Sequence, residues 1–396
     1  MRYILSILGI LLVVIAGAAD ETVQDRLQSV DGTIRVGVIQ SLSRDGVVTM
    51  TPGGTVARES LWRLYLAQAK SSAMGGRVQV TGDHFDVTAA EMTIQDGQMT
   101  ATFLVGNSWT RPLAGVQAFR TGLDHGEAAA TYRAALAAAG KVDRLIALSG
   151  TGAVLSLEGE VSGYDGEELT FVYRGEERTL KAAKVYGVVF AARPAGGGGA
   201  YRLVLQNDGW IDADAVWLDA ESVGLRVGGD DYSLSRSLVR MITYRNPQMQ
   251  ALSEMEPISA ESDAIAGARL LWRRDANALG RPLMIGKQHF ASGIGLHAPA
   301  AVTFAVPTGA ERFVATIGLD PVLGAIGDCE FVVERDGEEI LRARLTAADS
   351  AHSVSLELAG ARRLTLRVEA GANFDLGDYA NWGDARFVMG SAVAEE

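Results

Sequence analysis

Near the end of the chain, the run Asp375-Leu376-Gly377-Asp378-Tyr379-Ala380-Asn381-Trp382-Gly383-Asp384-Ala385 gathers three carboxylates, one amide and two aromatic rings into a Gly-punctuated loop. Such a set suits a polyol. A flat ring offers an apolar face for stacking, and a carboxylate or amide can contact two neighbouring hydroxyls. Trp382 is the candidate platform, with Asp378, Asn381 and Asp384 around it. Upstream, Gly293-Ile294-Gly295-Leu296-His297-Ala298 offers His297 from an adjacent loop, and Asp320 lies at the end of a strand beginning near Phe313. Each has a structural alternative. A Trp close to the last strand of a sandwich can fill the core with its N–H satisfied internally. A lone His between apolar neighbours can serve as an internal hydrogen-bonder, and an Asp at a strand end can form a turn. Asp375 and Asp378 also raise a structural calcium, which takes six to eight oxygens, but their spacing matches no defined calcium loop. No other cofactor is expected.

Other chemistry finds less support. Carboxylate pairs signal little in a chain with 48 acids. Ser149 and Ser156 lack a G-x-S-x-G context, and no His-rich cluster offers zinc ligands. The Gly196–Gly199 run has no Lys-Ser/Thr to make a phosphate loop. The expectation is a protein that is not an enzyme. A net charge of -12 and a pI near 5.0 argue against nucleic acid and anionic membrane surfaces, leaving neutral saccharides as a compatible ligand. Arg2, the apolar stretch Ile4–Ile15 and the small residues Ala16-Gly17-Ala18 read as a cleavable export signal over 1–19. That apolar stretch falls short of the ~20 residues that span a bilayer. The single cysteine, Cys329, cannot form an internal disulfide and lies in an apolar strand pattern, which suits a secreted or periplasmic protein of a bacterial envelope.

The elements that must position the loop are strands. Gly is abundant (46) and Pro sparse (9), and apolar and polar residues alternate between turn signals. Gly32–Met50 and Val154–Phe171 share one pattern: strand, break at Gly, strand, Asp-Gly turn, strand. Gly76–Arg120 and Tyr201–Tyr244 pair in the same loose way, each leading to a late apolar strand at Val116–Phe119 or Val239–Ile242. Units of about 45 residues have the size of small bent barrels of the SH3 or Sm type. The spacing predicts one pair of units over 24–120, a helical connector over 121–149 with Asp124 as N-cap, and a second pair over 150–246. Trp62, Trp109, Trp210 and Trp217 fall in or beside their strands, where packing is the expected role. A linker over 247–263 precedes longer alternating strands over 264–390, with a hairpin turning at Asp336-Gly337. Seven or eight such strands without a helix predict a two-sheet sandwich.

Residues 252–390 resemble the NPCBM (NEW2-type) domain, a carbohydrate-binding module related to galactose-binding-like jelly rolls. The resemblance is carried by Trp272-Arg273-Arg274-Asp275 with Leu279-Gly280, by Gly293–Ala298, by Phe313–Asp320, by Phe331–Gly337 and by Asp378–Ala385, in order along the domain. It implies a β-sandwich whose saccharide site lies in loops at one end. Members occur attached to glycoside hydrolases and also in envelope proteins with no evident enzyme, and this sequence carries no recognisable catalytic module. The reading is thus mainly β: repeated barrel-like units followed by a C-terminal sandwich (jelly roll), in an exported carbohydrate-binding protein. The alternative is a structural or protein-interaction component of the envelope, partnered by other envelope proteins and binding no sugar.

Overall fold

The structure is a computed structural model that describes residues 24–67, 77–103, 107–122, 124–138, 140–192, 199–263, 269–324, 326–358 and 360–390. The segment read as an export signal over 1–19 and residues 196–198 of the glycine run lie outside the described residues. No helix among the described residues is long and apolar enough to cross a membrane.

Antiparallel strands dominate the chain. Its N-terminal part is four small bent units with strands spanning 25–65, 78–121, 143–189 and 201–244. In each, the first strand turns back against the last. Asp25–Ser29 pairs with Leu61–Tyr65, Val78–Gly82 with Val116–Thr121, Asp143–Leu148 with Val185–Val189, and Tyr201–Leu205 with Val239–Tyr244. In the first, third and fourth units a short 3-10 turn, at Arg58–Ser60, Ala182–Lys184 or Arg236–Leu238, leads into that last strand. Such a turn lets the chain reverse sharply within a small barrel.

The units join across the chain rather than in sequence order. The last strand of the first unit pairs with that of the fourth, Leu64 opposite Ile242. The last strand of the second pairs with that of the third, Phe119 opposite Val188. A short ladder, Ile211 opposite Phe85, ties the fourth unit to the second. One apolar core runs through all four, and Trp62 and Trp109 are buried in the folded chain while Trp210 and Trp217 are half-buried.

The expected connector over 121–149 is shorter than its composition implies. The helix covers Gly126–Ala137, and Asp143–Leu148 is already a strand of the third unit. Its N-cap is His125 rather than Asp124: the His125 side chain accepts the Ala128 N–H. An Ala-rich face lets the helix lie close on the sheet, with Ala128, Tyr132 and Ala135 packed against Ile146, Tyr186 and Val189.

The C-terminal part is a two-sheet sandwich. One sheet orders Arg273–Arg274, Gly293–His297, Tyr379–Met389, Ala310–Leu319 and His352–Glu357. The facing sheet orders Ser259–Ser262, Ala300–Ala305, Arg363–Ala370, Asp328–Arg335 and Glu338–Thr346. The 247–263 segment, read as a linker, supplies two strands: Met249–Ala251 pairs with the final strand and Ser259–Ser262 with Ala300–Ala305. Its polar, Met-rich composition hid strands whose pairing is at a sheet margin. The Asp336-Gly337 hairpin forms as read, both residues at positive φ (53° and 89°), the geometry a two-residue turn needs. Cys329 is buried, and burial pushes its thiol well above the ordinary range.

Candidate functional site

The Asp-x-x-Asn-Trp-x-Asp-Ala pattern lies on the sandwich's central strand, Tyr379–Met389, and a bulge there decides where its side chains point. Opposite Val314–Thr316 this strand carries one extra residue, and Asp384 sits in the slip at φ +53°. The extra residue reverses the alternation. Ala380 and Trp382 face the sandwich core, and so do Ala385 and Phe387, while Asp384 and Arg386 turn toward the first barrel unit. The Trp382 ring sits 5.2 Å from that of Phe331 and 6.3 Å from that of Phe313, centroid to centroid, with no exposed surface. Gly383 completes the fit, since a Cβ there would lie 2.4 Å from the Phe290 ring.

Asp384 is the centre of the contact between the two halves of the chain. It pairs with the Arg63 guanidinium, both side chains 5% exposed, and accepts a 2.9 Å hydrogen bond from Gln28 Nε2. Arg63 also donates to Ser292 Oγ at 2.7 Å, and Arg386 Nε donates to the Val30 carbonyl at 2.9 Å. The Trp62 ring lies between the guanidiniums of Arg63 (3.8 Å) and Arg386 (4.3 Å).

The remaining expected site residues gather near one end of the sandwich, and they too face inward. Asp320 caps the short turn Pro321–Leu323 through the Val322 N–H, and its Oδ2 accepts from Asn277 Nδ2 (3.0 Å) and Asn381 Nδ2 (3.1 Å). Asn381 also donates to the Met284 carbonyl at 2.7 Å. Asp378 Oδ1 accepts the Asp328 N–H at 2.8 Å, joining the 328 strand to the loop. Burial pushes the Asp378 carboxyl up to about 6, against the pull of that N–H. His297 packs edge-on against Tyr379, rings 4.9 Å apart, and burial lowers its imidazole from the ordinary value. All six residues read as saccharide contacts are thus buried: His297, Asp320, Asp378, Asn381, Trp382 and Asp384. Trp382 offers no face to a ligand. The reason is the two-sided packing of the central strand, which leaves neither side of the motif to solvent. No group of three or more His, Cys, Asp or Glu among the described residues converges to hold a metal ion.

What this end does present is apolar. Phe374 is 63% exposed, with Leu376 and Ile326 each 53% exposed beside it. Phe374 is held at φ +64°, uncommon for an aromatic residue. Its loop is braced by a bridge between Gly371 and Phe374 and by Asn373 Nδ2, which donates to the Ile326 carbonyl and, at 3.1 Å, to that of Leu376. Sequence reasoning passed over Phe374, which stands one residue before the acid-rich run. The available signal was an aromatic between Asn373 and Asp375 in a loop bounded by Gly371 and Gly377.

The family model of the NPCBM/NEW2 domain matches residues 248–388. A curated relative, named "Putative endo-alpha-N-acetylgalactosaminidase", from Renibacterium salmoninarum, is 26% identical over 116 residues, 29% of this chain. The match spans only 8% of that relative's length. Among solved structures, CBM51 from Clostridium perfringens GH95 in complex with methyl-galactose is similar at 23% identity and a TM-score of 0.33, over 35% of this chain and 99% of the other. Tandem CBM51 modules of a family 98 glycoside hydrolase from Streptococcus pneumoniae match at 13% identity and a TM-score of 0.32, over 92% of this chain and 88% of the other. By the family-model match, residues 248–388, the sandwich together with its two lead-in strands, are an NPCBM/NEW2 domain.

Proposed function

We propose that the sandwich holds a neutral saccharide against the loops around Phe374, within an exported, non-catalytic protein. The observation that supports this most is Phe374 itself, an aromatic ring held out at positive φ on a braced loop of an NPCBM/NEW2 domain. A pyranose ring has an apolar C–H face, and an exposed ring covers it while Leu376 and Ile326 widen the contact. Millimolar binding corresponds to only about -4 kcal/mol, within reach of one stacked ring and a few hydrogen bonds from loop backbone. Export is favoured by the charged, apolar and small-residue sequence of 1–19.

A second reading, a structural or protein-binding role in the envelope, is favoured by the buried Arg63–Asp384 contact, which fixes the sandwich to the barrel units. Glycan-array binding by the full chain separates the two. Specific retention of a neutral glycan that Phe374→Ala abolishes supports the first reading. Silence across the array, or binding indifferent to Phe374→Ala, refutes it.

A further inference from the structure

Between the barrel units and the sandwich lies a cleft of about 1250 Å³, larger than the roughly 300–1,000 Å³ of a typical small-molecule pocket. It continues past Arg26, Tyr65 and His289 into a small side recess beside Asp384. The lining is unlike the rest of the protein. Six arginines are among its 31 residues, whereas the whole chain has 36 Lys and Arg in 396 residues and a net charge of -12. Three carboxylates line it as well, at Asp208, Glu254 and Asp275.

Several of these arginines are already committed. Arg63 pairs with Asp384, Arg240 with Asp208 at 2.8 Å, and Arg202 and Arg245 share the single carboxylate of Asp212. Arg26 and Arg281 are exposed, and neither has a carboxylate partner among the described residues. The contact that Arg26 makes is with the Tyr65 ring, 4.7 Å from its centroid. On the barrel side Arg202 lies 4.1 Å over Trp210 in the same manner. Tyr65 and Trp210 are both half-buried, so part of each ring faces the cleft beside a guanidinium.

We propose that this cleft is a second binding site, for an acidic oligosaccharide bearing carboxylate groups. A guanidinium takes a carboxylate in a two-point contact that is stronger than a neutral hydrogen bond. An aromatic edge beside it suits the apolar face of the same sugar unit. Arg26 beside Tyr65 offers that pairing, and the Trp210 ring offers a further apolar face along the cleft, its neighbour Arg202 being held by Asp212. Nucleic acid fits less well. Tight binding to it neutralises some 6–10 phosphates, and here few cations are free while the surrounding chain is strongly acidic. The site is distinct from the Phe374 loops and does not depend on the reading given to them.

The test is isothermal titration of the full chain with six-residue oligogalacturonate and oligosialate, alongside a neutral galactose oligomer and a single-stranded DNA of similar length. At least one acidic oligosaccharide is expected to bind, more weakly as salt is raised. Arg26→Gln with Arg281→Gln should weaken it tenfold or more without altering the circular dichroism, and Phe374→Ala should leave it unchanged. Neither acidic oligosaccharide binding, binding indifferent to the two arginine substitutions, or equal binding of the DNA or the neutral oligomer through the same arginines would each overturn the proposal. Loss of neutral-glycan binding in Phe374→Ala with the acidic ligand still bound would show the two sites to be independent.

Discussion

Asp384→Asn removes one negative charge from the buried contact between barrels and sandwich and turns one of its two acceptor oxygens into an NH2 donor facing a donor. Asn has the same shape and tolerates the φ of +53° that the bulge imposes, so the backbone is spared. Gln28 keeps an oxygen to donate to. Arg63 keeps its bond to Ser292 and its place on the Trp62 ring, yet its charge, on a side chain 5% exposed, loses its counter-ion. Breaking a buried pair from one side costs about 3–5 kcal/mol, chiefly because the surviving charge stays desolvated. At the low end, ~3 kcal/mol is roughly a 150-fold rise in the population that has lost the contact. With a urea dependence of about 3 kcal/mol/M, the transition would move down by about 1 M. Urea titration followed by tryptophan fluorescence reports it directly, Trp62 being at the contact. Arg63→Met and the double variant complete a cycle. Since the double variant no longer strands Arg63 or Asp384 without the other, while buried Arg386 keeps its charge as it does in Asp384→Asn, it should be more stable than the sum of the single losses predicts, by about 2 kcal/mol or more. A midpoint shift in Asp384→Asn worth less than about 1 kcal/mol, or strict additivity, would refute the assignment of Asp384 as the charge holding the two halves together.

Three further outcomes are expected. Trp382→Ala should destabilise by about 3–5 kcal/mol through the cavity it leaves between Phe313 and Phe331, whereas Phe374→Ala should stay within about 0.5 kcal/mol; thermal melts of both distinguish core from surface. Gly383→Ala should cost about 1–3 kcal/mol, because its Cβ meets the Phe290 ring, as denaturant titration will show. The Asp378 carboxyl, raised to about 6 by burial, binds its proton more tightly folded than unfolded. Its contribution is therefore fully present below about pH 4 and lost as pH rises through 6. The stability of Asp378→Asn relative to wild type should accordingly grow from pH 4 to pH 7 in paired melts, and a difference independent of pH would contradict the shift.

How much of this was readable in the sequence depended on the range of the interaction. Alternation at Val302, Phe304 and Val306, or at Phe313, Ala315 and Ile317, is local, and it identified strands because a pleated strand shows the same face every second residue. Asp336-Gly337 marked its hairpin for an equally local reason. The order in which the barrel units join was invisible, since Leu64 meets Ile242 across nearly 180 residues and any exposed last strand has the same pattern. The direction of the site side chains turned on the bulge. Strict alternation cannot show an inserted residue, so nothing distinguished a Trp382 turned inward from one turned out. Asp384 has its partner 321 positions away in Arg63, beyond any motif. Phe374 was passed over because polar residues drew the search, while the exposed group proved to be the ring just before them.

The joining of the first unit to the fourth also sets a clock for the growing chain. Tyr65 leaves the ribosome about 176 residues ahead of its partner Met241, so at 5–20 residues per second the wait is roughly 10–35 s. Throughout that interval the Leu61–Tyr65 strand, already held on one side by Asp25–Ser29, presents its other edge unpaired. Such an edge is a ready template for another chain. Truncating the protein before residue 239 would make that temporary edge permanent, and fragments ending there should associate where the intact chain does not.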